Sequence, residues 1–186
     1  MKKRNLGIWI FVGIFVLIIL AFFAFNNSTS DSLKNSVEKN SILEKSWVEI
    51  ELKDVRTQQT FKISDFVGKP ILLEIFAVWC PTCTKQQGKV NELHEEIGDK
   101  FVSISLNTDP NEDEARIQEH LDRTGFDWYY AVSPIELTEA LIDEFGIWIV
   151  NAPSAPMILI CEDGSFRKLK NGVKDVEELK SELNKC

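Results

Sequence analysis

An α/β domain, with helices packed over a central sheet, is what the sequence predicts, and three observations carry the prediction. Apolar runs at residues 71–78, 101–106 and 157–161 are short and rich in β-branched and aromatic side chains, as buried strands are. Between them, apolar residues recur at spacings of three and four, as at Val90, Leu93 and Ile97, the period of a helix face. Glycines stand where those helical patterns stop, at Gly98 and Gly146. Strands that alternate with helices in this way build a mostly parallel sheet covered on both faces.

In chain order, Lys2, Lys3 and Arg4 precede Leu6 to Phe25, twenty residues without a charge. At ~1.5 Å per residue such a helix spans about 30 Å, the thickness of bilayer hydrocarbon. The basic residues in front of it predict an N-terminus inside and the remainder outside. A cleaved signal peptide is the competing reading, but the run is long for one and no Ala-x-Ala site follows Ala21 or Ala24. Residues 1–25 are read as a single-pass anchor that stays attached. Residues 26–46, polar and rich in Ser, Asn and Lys, are read as a tether, and residues 47–186 as the folded domain.

Within that domain, Val48, Ile50 and Leu52 alternate with charged residues, and Thr60 to Ile63 alternates again, so an N-terminal β-hairpin is predicted. A strand over 71–78 leads to a helix ending at Gly98, then a strand over 101–106. A helix over 112–123 and a strand over 128–132 follow, then a helix over 134–145. Residues 148–150 read as a further strand. The segment 157–161 pairs through the turn Glu162–Ser165 with 166–170, and a helix over 173–183 closes the chain. His94 and His120 fall on predicted solvated helix surfaces. Cys161 reads as a buried strand residue and Cys186 as a free terminal thiol, with a bond between the two as the alternative.

Chemistry concentrates where the first core strand ends: Trp79-Cys80-Pro81-Thr82-Cys83. Four cysteines in 186 residues are too few for a disulfide scaffold, so the close pair points to reactivity. Cys80 at a helix N-cap with Pro81 at the first helical position faces free N–H groups and a favourable dipole, which makes Cys80 the acidic, attacking thiol. Cys83, one turn further, is placed to close a disulfide and resolve a mixed disulfide. Glu74 is a carboxylate in an otherwise apolar strand. Burial raises its pKa and makes it a candidate proton acceptor for Cys83. A zinc site needs two further ligands, and no second cysteine pair exists.

This run resembles the active site of the thioredoxin superfamily, in which a buried acid stands where Glu74 does, six residues before the first cysteine. From Trp47 onward the chain is most similar to the membrane-anchored TlpA/ResA-like branch. The resemblance implies a thioredoxin-like fold with a central mixed sheet, an N-terminal β-hairpin and an inserted helix–strand unit. It implies a cis-proline before the 157–161 strand, for which Pro156 is the candidate and Pro153 the alternative. The substrate face would then comprise Trp79, Pro81, Thr82, Ala155 and Pro156. Gly88 departs from the family, replacing a proline that usually kinks the active-site helix. Pro81 also stands one position early, and the link over 148–155 is about five residues longer than usual.

The implied function is thiol–disulfide exchange outside the cytoplasm, with no cofactor beyond the protein's own disulfide and no bound metal. Its substrates would be protein disulfides, for example those of apocytochrome c, and its electrons would come through a membrane partner of the CcdA/DsbD type. A disulfide-forming oxidase would use the same residues. A Sco-like copper carrier or a thiol peroxidase are readings from other classes; the first wants a Cys-x-x-x-Cys spacing and a late histidine, and none follows His120. Setting aside Lys2, Lys3 and Arg4 leaves 18 basic against 29 acidic residues, a balance of −11 that argues against nucleic acid.

Overall fold

The computed structural model describes residues 45–186. The expected anchor (1–25) and nearly all of the expected tether (26–46) lie outside the described residues, and among those described no helix is long and apolar enough to cross a membrane. A five-stranded sheet is built from β3 (Ile71–Phe76), β4 (Val102–Asn107), β5 (Tyr129–Val132), β6 (Met157–Ile160) and β7 (Phe166–Lys168). Their order is β5-β4-β3-β6-β7. The pairs β3/β4 and β4/β5 are parallel, while β3/β6 and β6/β7 are antiparallel, so the sheet is mixed. Four helices pack on it: α1 (Pro81–Ile97), α2 (Glu114–Thr124), α3 (Ile135–Phe145) and α4 (Val176–Leu183). The α2–β5 pair is the expected inserted unit.

Alternation along β3 sorts the core into two faces. Ile71, Leu73 and Ile75 pack with Trp47, Ile104, Leu137 and Leu141, which places α3 on one face. Leu72 packs with Val90, Leu93 and Leu179, and Phe76 with Ile117 and Leu121, which places α1, α2 and α4 on the other. Gly98 (φ 62°) and Gly146 (φ 82°) end α1 and α3 in backbone conformations that a side chain disfavours, and each N–H closes onto the last turn.

Three sequence expectations are corrected. The hairpin is shorter than its alternation suggests: β1 (Leu52–Lys53) and β2 (Thr60–Phe61) have two residues each. Ser46–Glu49 forms a 3₁₀ turn because Trp47 and Val48 are neighbours and both buried, which an alternating strand cannot achieve. The hairpin docks on the edge strand β5, with Tyr130 N–H donating to Asp54 Oδ1 at 3.0 Å and Val55 N–H donating to Tyr130 O at 2.8 Å. Residues Ile147–Val150 are a 3₁₀ turn, not a strand: Ile149 is buried while Trp148 stays 61% exposed. Cys186 is not free, because it forms a disulfide with Cys161 and so ties the end of the chain to the end of β6.

Two stability measurements follow. Gly88 lies inside α1, and a Cβ there would meet nothing within 4 Å. Gly88→Ala is expected to stabilise by about 1 kcal/mol, a rise in Tm of roughly 2–4 °C by calorimetry. A lowered Tm would mean that the helix needs its glycine. Cys186→Ser opens a bridge between residues 25 positions apart. It is expected to cost about 3 kcal/mol in urea unfolding, by the loop-closure estimate.

Candidate active site

The chain leaves β3 through a tight turn in which Cys80 N–H donates to Ala77 O at 3.1 Å. Cys80 is extended (φ −87°, ψ 108°) and caps α1; Pro81 takes the first helical position, where no N–H is needed. Cys80 and Cys83 are joined in a disulfide with their Cα atoms 5.3 Å apart, and both are buried. The two sulfurs stand in opposite surroundings. Cys83 N–H donates to Cys80 Sγ at 3.1 Å, at the positive end of the helix. Cys83 Sγ instead lies 3.2 Å from the carbonyl oxygen of Ala152. On reduction, a donor and a dipole favour the Cys80 thiolate, while a carbonyl favours a protonated Cys83.

Around this pair, Trp79 is 59% exposed, and its indole N–H donates to Asp109. Trp79, Asp109, Pro110, Val150 and Pro153 line a cleft beside Ala152. Pro81 is exposed and Thr82 half-buried at the helix end. Ala155 and Pro156 are both buried one level deeper, where Pro156 O accepts from Ile75 N–H at 3.1 Å. All peptide bonds of the described residues are trans, so the expected cis-proline is absent. The chain reversal into β6 is made at Ala155, whose left-handed backbone (φ 45°, ψ 58°) redirects the chain. The backbone atom that meets Cys83 Sγ is Ala152 O.

Glu74 is buried in β3. The parallel register sets it opposite Ser105, and Ser105 opposite Tyr130, so the three share one face. Ser105 Oγ donates to Glu74 Oε2 at 3.1 Å and accepts from Trp128 Nε1–H at 3.0 Å. Oε1 makes no hydrogen bond. Gln87 approaches the carboxylate without closing a well-formed bond; its own Oε1 accepts from His120 Nε2 at 2.7 Å. Burial pushes the Glu74 carboxyl up to about 7, against the pull of Gln87, Ser105 and Lys174. Cys83 and Gln87 lie one helical turn apart on the same face of α1 and are both buried.

Several groups here escape sequence reasoning. Gln86 and Gln87 are buried, and their only signal is their place three and four residues after Cys83, within the apolar stripe. His120 was expected on a solvated surface; it is 1% exposed, because Gln87 accepts from it and Arg123 donates to its Nδ1 at 3.3 Å. Burial and the nearby Arg123 lower its pKa and keep it neutral. His94 is half-buried, 2.9 Å from Ser103 Oγ and stacked on Phe101. Lys174, buried just before α4, looks in sequence like any loop lysine.

A Cys-x-x-Cys disulfide at the junction of the central strand and first helix of a mixed sheet defines a thioredoxin-fold protein. The chain belongs to the Redoxin family, whose model matches residues 40–185. It is 28% identical over 116 residues to the thiol-disulfide oxidoreductase ResA of Halalkalibacterium halodurans, a match that takes in 61% of this chain and 60% of that protein. With the ResA of Bacillus thuringiensis it is 23% identical over 189 residues, covering 100% of this chain and 98% of the relative. Among solved structures it resembles a secreted Mycobacterium tuberculosis disulfide oxidoreductase homologous to DsbE, with a TM-score of 0.57 at 14% identity, covering 75% of this chain and 98% of that one.

The Glu74 carboxyl makes stability depend on pH. Its folded value of about 7 is above the unfolded one, so the stability that protonation provides is complete at low pH and lost as pH rises through 7. Relative to Glu74→Gln, the wild type is expected to lose roughly 3 kcal/mol between about pH 4 and pH 8. Urea unfolding of both proteins across that range measures the difference; a constant offset would mean that the carboxyl titrates normally.

Proposed function

We propose that this protein is a thiol–disulfide oxidoreductase that reduces disulfides of other proteins. The observation that carries the reading is the unequal support of the two sulfurs, with the Cys83 N–H on Cys80 Sγ and the Ala152 carbonyl beside Cys83 Sγ. The reduced Cys80 thiolate attacks a substrate disulfide, forming a mixed disulfide and releasing one substrate thiolate, which takes up a proton. The Glu74 carboxylate accepts the Cys83 proton, and the Cys83 thiolate attacks Cys80 Sγ. The second substrate thiol leaves, two electrons have passed to the substrate, and the Cys80–Cys83 disulfide seen in the structure remains. Trp79, Pro81 and Thr82 form the outer rim that a substrate chain meets first.

The similarity to ResA supports a place outside the cytoplasm, with residues 1–25 as a single-pass anchor and 26–46 as a tether. It also fits reduction of apocytochrome c disulfides to thiols before haem attachment, and re-reduction of this protein by a membrane protein of the CcdA/DsbD type. The only redox group proposed is the protein's own disulfide. A Sco-like copper role finds less support: the Cys-x-x-Cys spacing is one residue short, and among the described residues no group of three or more His, Cys, Asp or Glu gathers to hold an ion.

Insulin reduction driven by dithiothreitol tests the reading. The wild type is expected to accelerate it, Cys80→Ser to fall to the rate of dithiothreitol alone, and Cys83→Ser to accumulate a mixed disulfide. Undiminished turnover by Cys80→Ser would sink the proposal. The reduction potential gives the direction: near about −270 mV it marks a reductant, near about −120 mV an oxidant.

A further inference from the structure

Lys174 is the one buried lysine among the described residues, and its burial needs a reason. Its Nζ donates to Ala155 O at 2.8 Å and to Gly172 O at 2.7 Å, and lies 3.5 Å from Gln86 Oε1. The main chain is held as well: Lys174 N–H donates to Gln86 Oε1 at 2.7 Å, and Gln86 Nε2 donates to Lys174 O at 3.4 Å. Gly172 N–H donates to Ser154 O at 2.8 Å, so the segment before α4 is stitched to the turn that carries Ala152 and Ala155. That turn sets the carbonyl beside Cys83, and Gln86 stands one helical turn after Cys83. A neutral side chain could fill this space; an ammonium there calls for a negative partner, and the ladder brings one near, because Glu74 pairs with Met157, two residues beyond the Ala155 whose carbonyl holds Nζ.

We propose that Lys174 is a positioning residue of the exchange site. Its ammonium locks the Ala152–Ala155 turn to the active-site helix through Gln86 and supplies the counter-charge that lets Glu74 work as a carboxylate. The inference rests on the exchange reaction described above. Burial lowers Lys174 to about 8, against the opposing pull of Glu74 and Glu178. Around Glu74 the charged or titratable neighbours are Lys174, Tyr130 and, through Gln87, His120. Of these, Lys174 is the cation. Without it, the Glu74 titration moves upward and less of the carboxylate is present at neutral pH to take the Cys83 proton.

The test uses the full chain with Lys174→Gln, which keeps a hydrogen-bond donor but not the charge, and Lys174→Arg, which keeps the charge. Two quantities are read against pH: the infrared band of the protonated Glu74 carboxyl, assigned by its loss in Glu74→Gln, and the rate of insulin reduction. Lys174→Gln is expected to move the carboxyl titration and the acid limb of the rate upward by about one pH unit, an about tenfold slower exchange on that limb. Lys174→Arg is expected to restore most of both. An unmoved carboxyl titration in Lys174→Gln would reduce Lys174 to a structural plug and overturn the inference. If that variant does not fold, the reciprocal measurement decides: in Glu74→Gln the Lys174 ammonium is expected to titrate at lower pH than in the wild type, and no change overturns the inference. A wild type that never accelerates insulin reduction would refute the exchange reading, while the two titrations would still report on the pair.

Discussion

Strand β3 is buried along all six of its residues, so the carboxylate placed in its middle has no bulk water to turn to. Everything around Glu74 answers that constraint. The register with β4 brings a hydroxyl opposite it, α1 brings Gln87, and the segment before α4 brings a cation within electrostatic range. These compensations are partial, because one carboxylate oxygen remains without a hydrogen bond. Full pairing would hold the group ionised, and none would hold it neutral. The intermediate case leaves the carboxyl near about 7, where it can take and return a proton at neutral pH.

The same economy governs the sulfurs. A helix N-terminus favours negative charge only over its first turn, and the Cys-x-x-Cys spacing puts Cys80 at that end and Cys83 inside it. Side chains at these two positions then meet different atoms, a backbone N–H and a backbone carbonyl. The carbonyl comes from residues 147–155, the stretch between α3 and β6. Its two 3₁₀ turns bury Ile149 and Ala152 while leaving Trp148 outside. The segment brings the Ala152 carbonyl onto the disulfide and supplies Val150 and Pro153 to the cleft beside Trp79. The Cys161–Cys186 bridge acts at the opposite end of the sheet and restrains α4 at its C-terminus. The N-terminus of α4 is held through Lys174 and Gln86.

How far the sequence could be read varied from element to element. The strands β3, β4 and β6 and the helices α1 to α4 were legible because burial on one or two faces imposes a period or an apolar run. The cap at Cys80 was legible because capping is local: it depends on Pro81 and on the turn that begins there. The N-terminal hairpin was overread, since Val48, Ile50 and Leu52 alternate, yet Trp47 must also be buried against Phe145 and Phe166. His120 was misread for a related reason. A histidine inside an amphipathic helix looks solvated until a glutamine from another helix is found to accept a hydrogen bond from it.

By itself the sequence determined the α/β architecture, the position of the reactive pair and the presence of a carboxylate in the central strand. These follow from short-range rules of period, capping and polarity. Only the tertiary structure decided which atoms meet that carboxylate and those sulfurs, Ser105 from the next strand and Ala152 from a distant turn, and that Lys174, 100 residues beyond Glu74, closes on the carbonyl of Ala155. Such contacts depend on strand order and helix packing, and no local pattern encodes them. A buried lysine and an exposed one are spelled with the same letter, and the difference between them is the company that folding brings.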